Sequence, residues 1–130
     1  MRMLVAVALG GALGSMARWL LAGWVQARAV SERGALALFP AGTLAVNLTG
    51  CLLIGVLATL FEERLAGDPA LRTFVLAGLL GGFTTFSSFG LETFYLLREG
   101  NLVLAFANAA GSLVLGLAAV WLGAVLARAI

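Results

Sequence analysis

Four long apolar runs divide this chain, at Met3–Val25, Pro40–Phe61, Leu71–Leu97 and Leu102–Leu126, and most of the charge falls between them. A helix needs about 20 apolar residues to cross the hydrocarbon core of a bilayer, and each run is long enough. The joints carry Arg28, Glu32 and Arg33, then the stretch from Glu62 to Asp68, then Arg98 and Glu99. The pattern predicts an all-α integral membrane protein with four transmembrane helices in one domain, residues 1–130. Pro40 suits a first helical turn, where its missing N–H would be unpaired anyway, and Asp68-Pro69 reads as another helix start. A cleaved signal peptide is the competing reading of the first run, but the run is too long for one and Arg18 interrupts it.

Polar positions inside the runs add detail. The third run contains Gly81-Gly82-Phe83-Thr84-Thr85-Phe86-Ser87-Ser88-Phe89-Gly90, which weakens a helix where lipid satisfies no freed backbone group. Non-helical backbone at that depth persists only where protein buries it or it lines a wet cavity, so a mid-span break and an ion or solute site are expected here.

Composition agrees about the solvent. The chain is 62% hydrophobic and 11% charged, whereas ordinary soluble domains are about 25% charged. With no histidine and a single cysteine, Cys51, there is no histidine base, no soft-metal cluster and no intrachain disulfide. Nothing marks an enzyme or a nucleic-acid partner. An even number of spans places Arg2, Arg64, Arg72 and Arg128 on one side and Arg28, Arg33 and Arg98 on the other. Four against three is a weak orienting instruction. It fits insertion in both directions, with an antiparallel dimer of identical subunits, and it also fits a single orientation set by one terminus.

Several in-span residues have two readings. Gly10, Gly14 and Arg18 share one face of the first helix, where small residues permit close packing. Arg18 either draws anions to a vestibule or snorkels to the interface near Trp19 and Trp24. In the second run, Thr43 and Asn47 point the same way, as interhelical glue or as neutral ligands. In the third, Phe86 and Phe89 lie three apart; their electropositive ring edges suit an anion, and the alternative is core packing beside a kink. Unwound carbonyls there would suit a hard cation. Asn108 and Ser112 repeat the four-residue polar spacing in the fourth run.

The segments GGALGSMARW, GTLAVNLTG and GLLGGFTTFSSFG, in that order on the first three runs, resemble the signature segments of the Fluc or CrcB family of fluoride channels, and the likeness extends over essentially the whole chain. The resemblance implies a four-helix subunit with a broken third helix, assembled as an antiparallel, dual-topology homodimer with two narrow fluoride pores and one central structural Na+. It assigns Phe86, Phe89 and Asn47 to the pore, with Thr43, Ser88 and Ser112 along the path and Arg18 at the vestibule. It gives the backbone carbonyls of Gly81 and Thr84, from both subunits, to the sodium ion. Asn108 stands where some members carry a pore-lining tyrosine, so it enters the expected pore lining without a ring.

The function so implied is passive fluoride conduction that lowers cytoplasmic fluoride, in a multi-pass protein of the bacterial inner membrane. Fluoride is small and strongly hydrated, and neutral donors replace its water while still permitting release. Two rivals share the size. A four-span exporter of lipophilic cations would need a membrane-embedded acid, and Glu92 is the only in-span candidate; a structural membrane subunit would need a stable partner.

Overall fold

The computed structural model describes residues 1–31, 37–64 and 67–130; Glu32 and Arg33 of the first joint lie outside them. Four stretches are long and apolar enough to cross a membrane, and no strand occurs among the described residues. The first span is α1 (Arg2–Ser31) and the second α2 (Ala41–Glu63). The third is composite: α3 (Pro69–Arg72), a π-helical segment (Thr73–Leu80), α4 (Gly81–Phe83) and α5 (Phe86–Arg98). The fourth is α6 (Leu102–Ala129). Pro40 immediately precedes α2 rather than occupying its first turn. Pro69 does open α3, where the Asp68 carboxylate accepts from the Ala70 amide at 2.9 Å.

Two seams organise the bundle. Along one, α1 packs against the π-helical segment and α4; along the other, α2 packs against α6. Both depend on backbone meeting backbone. A Cβ on Gly14 would fall on the Leu79 carbonyl, and one on Gly55 would fall on the carbonyl of Val120. Small residues let helix axes approach this closely where lipid tails supply no hydrophobic drive for association. Large apolar side chains accordingly point outward: Leu4, Trp19, Leu113 and Trp121 are all exposed, as expected of a lipid-facing surface.

Exposed ion pairs cluster where the termini meet the α2–α3 joint. Arg128 Nε lies 2.9 Å from Glu63, Arg72 lies 3.8 Å from Glu62, and Arg2 lies 3.9 Å from Asp68. These contacts put both ends of the chain and the second joint on one face, as an even span count requires. At the other end the guanidinium of Arg28 stacks 4.2 Å from the Trp24 ring centroid and that of Arg98 lies 5.0 Å from Tyr95, an arrangement suited to the membrane interface.

Candidate functional site

The third span breaks at Thr84-Thr85, where φ/ψ passes from helical to extended, −81°/157° at Thr84 and −149°/118° at Thr85. Asn47 of α2 spans the gap like a short strand. Its Oδ1 accepts from the Thr85 amide at 2.9 Å and its Nδ2 donates to the Thr85 carbonyl at 3.1 Å. Helix α5 then restarts under its own cap, the Thr85 Oγ1 accepting from the Ser88 amide at 3.2 Å. Thr85 Oγ1 also donates to Ser88 Oγ at 3.1 Å.

These bonds act on the two carbonyls flanking the break. In an unbroken helix the Gly81 carbonyl would take the Thr85 amide and the Thr84 carbonyl would take the Ser88 amide. The first amide is diverted to Asn47 and the second to the Thr85 hydroxyl. Gly81 is exposed on the bundle surface and Thr84 partly so. The chain therefore offers a pair of carbonyl oxygens relieved of their helical donors, the hard neutral ligand type that suits an alkali or alkaline-earth cation.

Beside the break lies a cavity of about 540 Å³, lined by Asn47, Thr84, Phe86, Phe89 and Ser112 among others. The Phe86 and Phe89 rings touch, their centroids 5.4 Å apart and their planes tilted by 44°. Phe86 is 83% exposed, so its ring sits at the open side of the cavity. The Ser112 hydroxyl is buried and has no hydrogen-bond partner among the described residues. Cys51 also lines this space.

A second cavity, about 490 Å³, lies toward the end of the bundle where α1 and α5 terminate, lined by Gln26, Pro40, Thr43, Glu92 and Tyr95 among others. Gln26 fixes its rim, donating to the Phe39 carbonyl at 3.1 Å and accepting from the Gly42 amide at 3.1 Å. Thr43 donates to Glu92 Oε1 at 2.7 Å. Thr43 and Asn47 are one turn, about 6 Å of rise, apart on α2, so the two cavities are lined by successive turns of one face of that helix.

The structure thus brings Asn47, Phe86, Phe89 and Ser112 to one cavity and Thr43 to the next. Ser88 belongs to the hydrogen bonding of the break and lines neither. Asn108 is turned away from both: it is 1% exposed and donates to Thr93 Oγ1 at 2.8 Å. Arg18 is half-buried on α1, lines neither cavity and makes no ion pair among the described residues. Glu92, an in-span acid when read along the chain, acquires a specific partner in Thr43. The pairing joins residues 49 positions apart, and the only local hint is that Glu92 follows Phe89 by three, on the same face of α5.

Four spans, one of them broken beside a largely apolar cavity that carries amide, hydroxyl and aromatic groups and no charged side chain, define a multi-pass membrane protein. Residues 5–124 match the family model described as "CrcB-like protein, Camphor Resistance (CrcB)". The chain is 49% identical over 122 residues to a Solibacter usitatus protein named "Fluoride-specific ion channel FluC", with 94% of this chain and 95% of that one covered. Identity is 52% to a relative of the same name from Opitutus terrae, covering 90% and 86% of the two chains, and 46% to one from Stutzerimonas stutzeri, covering 98% of each. The chain belongs to the CrcB family.

Proposed function

We propose that this chain is a passive, fluoride-selective ion channel of the bacterial inner membrane that lets cytoplasmic fluoride leave down its gradient and so lowers its toxicity. The observation that carries the reading is the 540 Å³ cavity, where an unpartnered serine hydroxyl, an asparagine amide and two phenylalanine rings converge without a charged side chain. Asn47 spends one amide N–H on Thr85 and retains a second. Together with Ser112 Oγ–H and the positive ring edges of Phe86 and Phe89, it offers a dehydrated anion several weak contacts, which favour entry without trapping. The relatives named as fluoride-specific channels, which match nearly the full length of the chain, point to fluoride.

The antiparallel homodimer and its structural Na+ belong to the same proposal. Phe86 and Ser87 are exposed at mid-span, where lipid offers the Ser87 hydroxyl no partner beyond Thr85 Oγ1 at 3.3 Å. A second copy of the chain would cover them and close the open side of the cavity. The relieved carbonyls of Gly81 and Thr84, doubled by the second subunit, would give four oxygen ligands to the ion, whose role is to hold the two breaks together.

The test is fluoride efflux from proteoliposomes read with a fluoride electrode, with valinomycin clamping charge and chloride-loaded vesicles alongside. Release that needs valinomycin and has no chloride counterpart supports the channel. Verified folded dimers that release no fluoride would overturn it.

A further inference from the structure

Asn108 is one of the two largest fully buried side chains described in the protein, the other being Val46. A primary amide buried in an apolar helix is costly unless its hydrogen bonds are made, so its partners carry information. Asn108 Nδ2 donates to Thr93 Oγ1 at 2.8 Å, and Thr93 Oγ1 donates to the Phe89 carbonyl at 2.7 Å. Because the asparagine occupies the hydroxyl as a donor, the single threonine proton is directed onto Phe89. Successive hydrogen bonds of this kind reinforce one another in a low-dielectric interior.

This relay starts behind the cavity wall and ends at the backbone carbonyl of Phe89, a residue that lines the cavity. Phe89 lines the cavity from α5, and Ser112, one turn beyond Asn108 on α6, lines it as well. On α6 the two polar residues share a face: Ser112 reaches the cavity and Asn108 grips α5. The contacts between α5 and α6 are far sparser than those between α2 and α6, so a buried polar tie between α5 and α6 has leverage over how those two helices meet, while Thr43 and Asn47 tie α5 and its cap to α2.

We propose that Asn108, acting through Thr93, is a positioning residue that sets the register of α5 on α6, and with it the gap between the Phe89 ring and the Ser112 hydroxyl that an anion must fit. Asn108 touches no ion in this role. Its leverage falls on width, so its loss affects both rate and discrimination against larger anions. The inference rests on the channel reading for its consequence, while the register itself is testable without conduction.

The experiment uses full-length protein with 4-fluorophenylalanine at position 89 and compares the native sequence, Asn108→Leu, Thr93→Val and the double variant. Each is measured for fluoride and chloride release per folded dimer and for the 19F resonance of the label. Phe89→Ile, without the label, is the flux control. Either single variant is expected to cut fluoride release about tenfold, the scale of one well-aligned hydrogen bond, to raise chloride release relative to fluoride, and to shift or broaden the 19F signal. The double variant should be no worse than the poorer single one, because both remove the same relay. Thr93→Val deletes one hydroxyl and leaves α6 intact, so it decides the matter if Asn108→Leu does not fold. Native flux per dimer and an unmoved 19F signal in Thr93→Val would overturn the proposal, as would losses that multiply in the double variant. If the native protein itself conducts nothing, the channel reading falls, and the 19F comparison still tests the register.

Discussion

Asn47 shows why a polar residue inside a span resists assignment from sequence. Read along the chain it is either glue or a pore ligand, and the structure gives it a demonstrable share of the first role through its paired bonds to Thr85. Thr85 is itself buried, so Asn47→Leu strands a buried amide and carbonyl. We expect a loss of about 1–3 kcal/mol for each unsatisfied group, read as a lower melting temperature in detergent, together with loss of flux. A variant as stable as the native protein would mean that water or another side chain takes over the break. The phenylalanines make a different prediction. Phe86→Ile and Phe89→Ile keep apolar volume but delete the quadrupole, so fluoride release should fall at least tenfold while the dimer still elutes normally; unchanged release in both would remove the ring edges from the mechanism. The spacing of Phe86 and Phe89 was legible in the sequence, whereas a placement beside a cavity was implied only by the family resemblance, core packing being the other reading of the residues themselves. Thr93 as the partner of Asn108 was not, because α6 is apolar around most of its circumference and gives no periodic signal about which neighbour a polar side chain meets.

Among the elements, the four spans and the mid-span break were readable, since apolar length sets the first and a glycine- and hydroxyl-rich decapeptide announces the second. The eight-residue π-helical segment before the break was not foreseen. Its sequence, TFVLAGLL, carries no signal for a wider turn. What surrounds it is the glycine face of α1, where Gly10 and Gly14 approach the backbone of Phe74, Gly78 and Leu79. That seam supports the part of the third span from which the break emerges. Gly14→Ala gains helix propensity, about 1 kcal/mol, but drives its methyl into a carbonyl that cannot rotate aside, a class of overpacking costing about 1–3 kcal/mol or more. The expected outcome is a lower melting temperature. Gly23→Ala, whose Cβ meets nothing within 4 Å, should leave it unchanged or higher. Equal behaviour of the two variants would show that α1 and the third span slide apart readily, and that the seam does not set the position of the break.

For the whole molecule, the near-balance of arginines is compatible with the proposed insertion of two copies in opposite directions, and the exposure of Phe86 and Ser87 at mid-span with their meeting at the break. Removing sodium should then weaken dimer assembly or conduction, with fluoride flux carrying no fixed sodium stoichiometry; a strict stoichiometry would make the ion a transported partner. Orientation supplies the sharper test. Positive-inside bias counts lysines and arginines near span ends and is little affected by acids, so the ion pairs of Arg2, Arg72 and Arg128 do not remove those residues from the count. Ala129→Arg with Ile130→Arg strengthens the face carrying the termini, and Val30→Arg with Ser31→Arg strengthens the other; all four positions lie at the ends of α1 and α6, and none lines either cavity. Each double variant should insert in one direction only, leave the antiparallel partner missing and lose fluoride efflux from cells. Co-expression of the two should restore it, because each supplies the orientation the other lacks. If either variant alone conducts as well as the native chain while a topology reporter shows a single orientation, the antiparallel assembly is wrong, and Phe86 and Ser87 must be covered by a parallel copy or another partner.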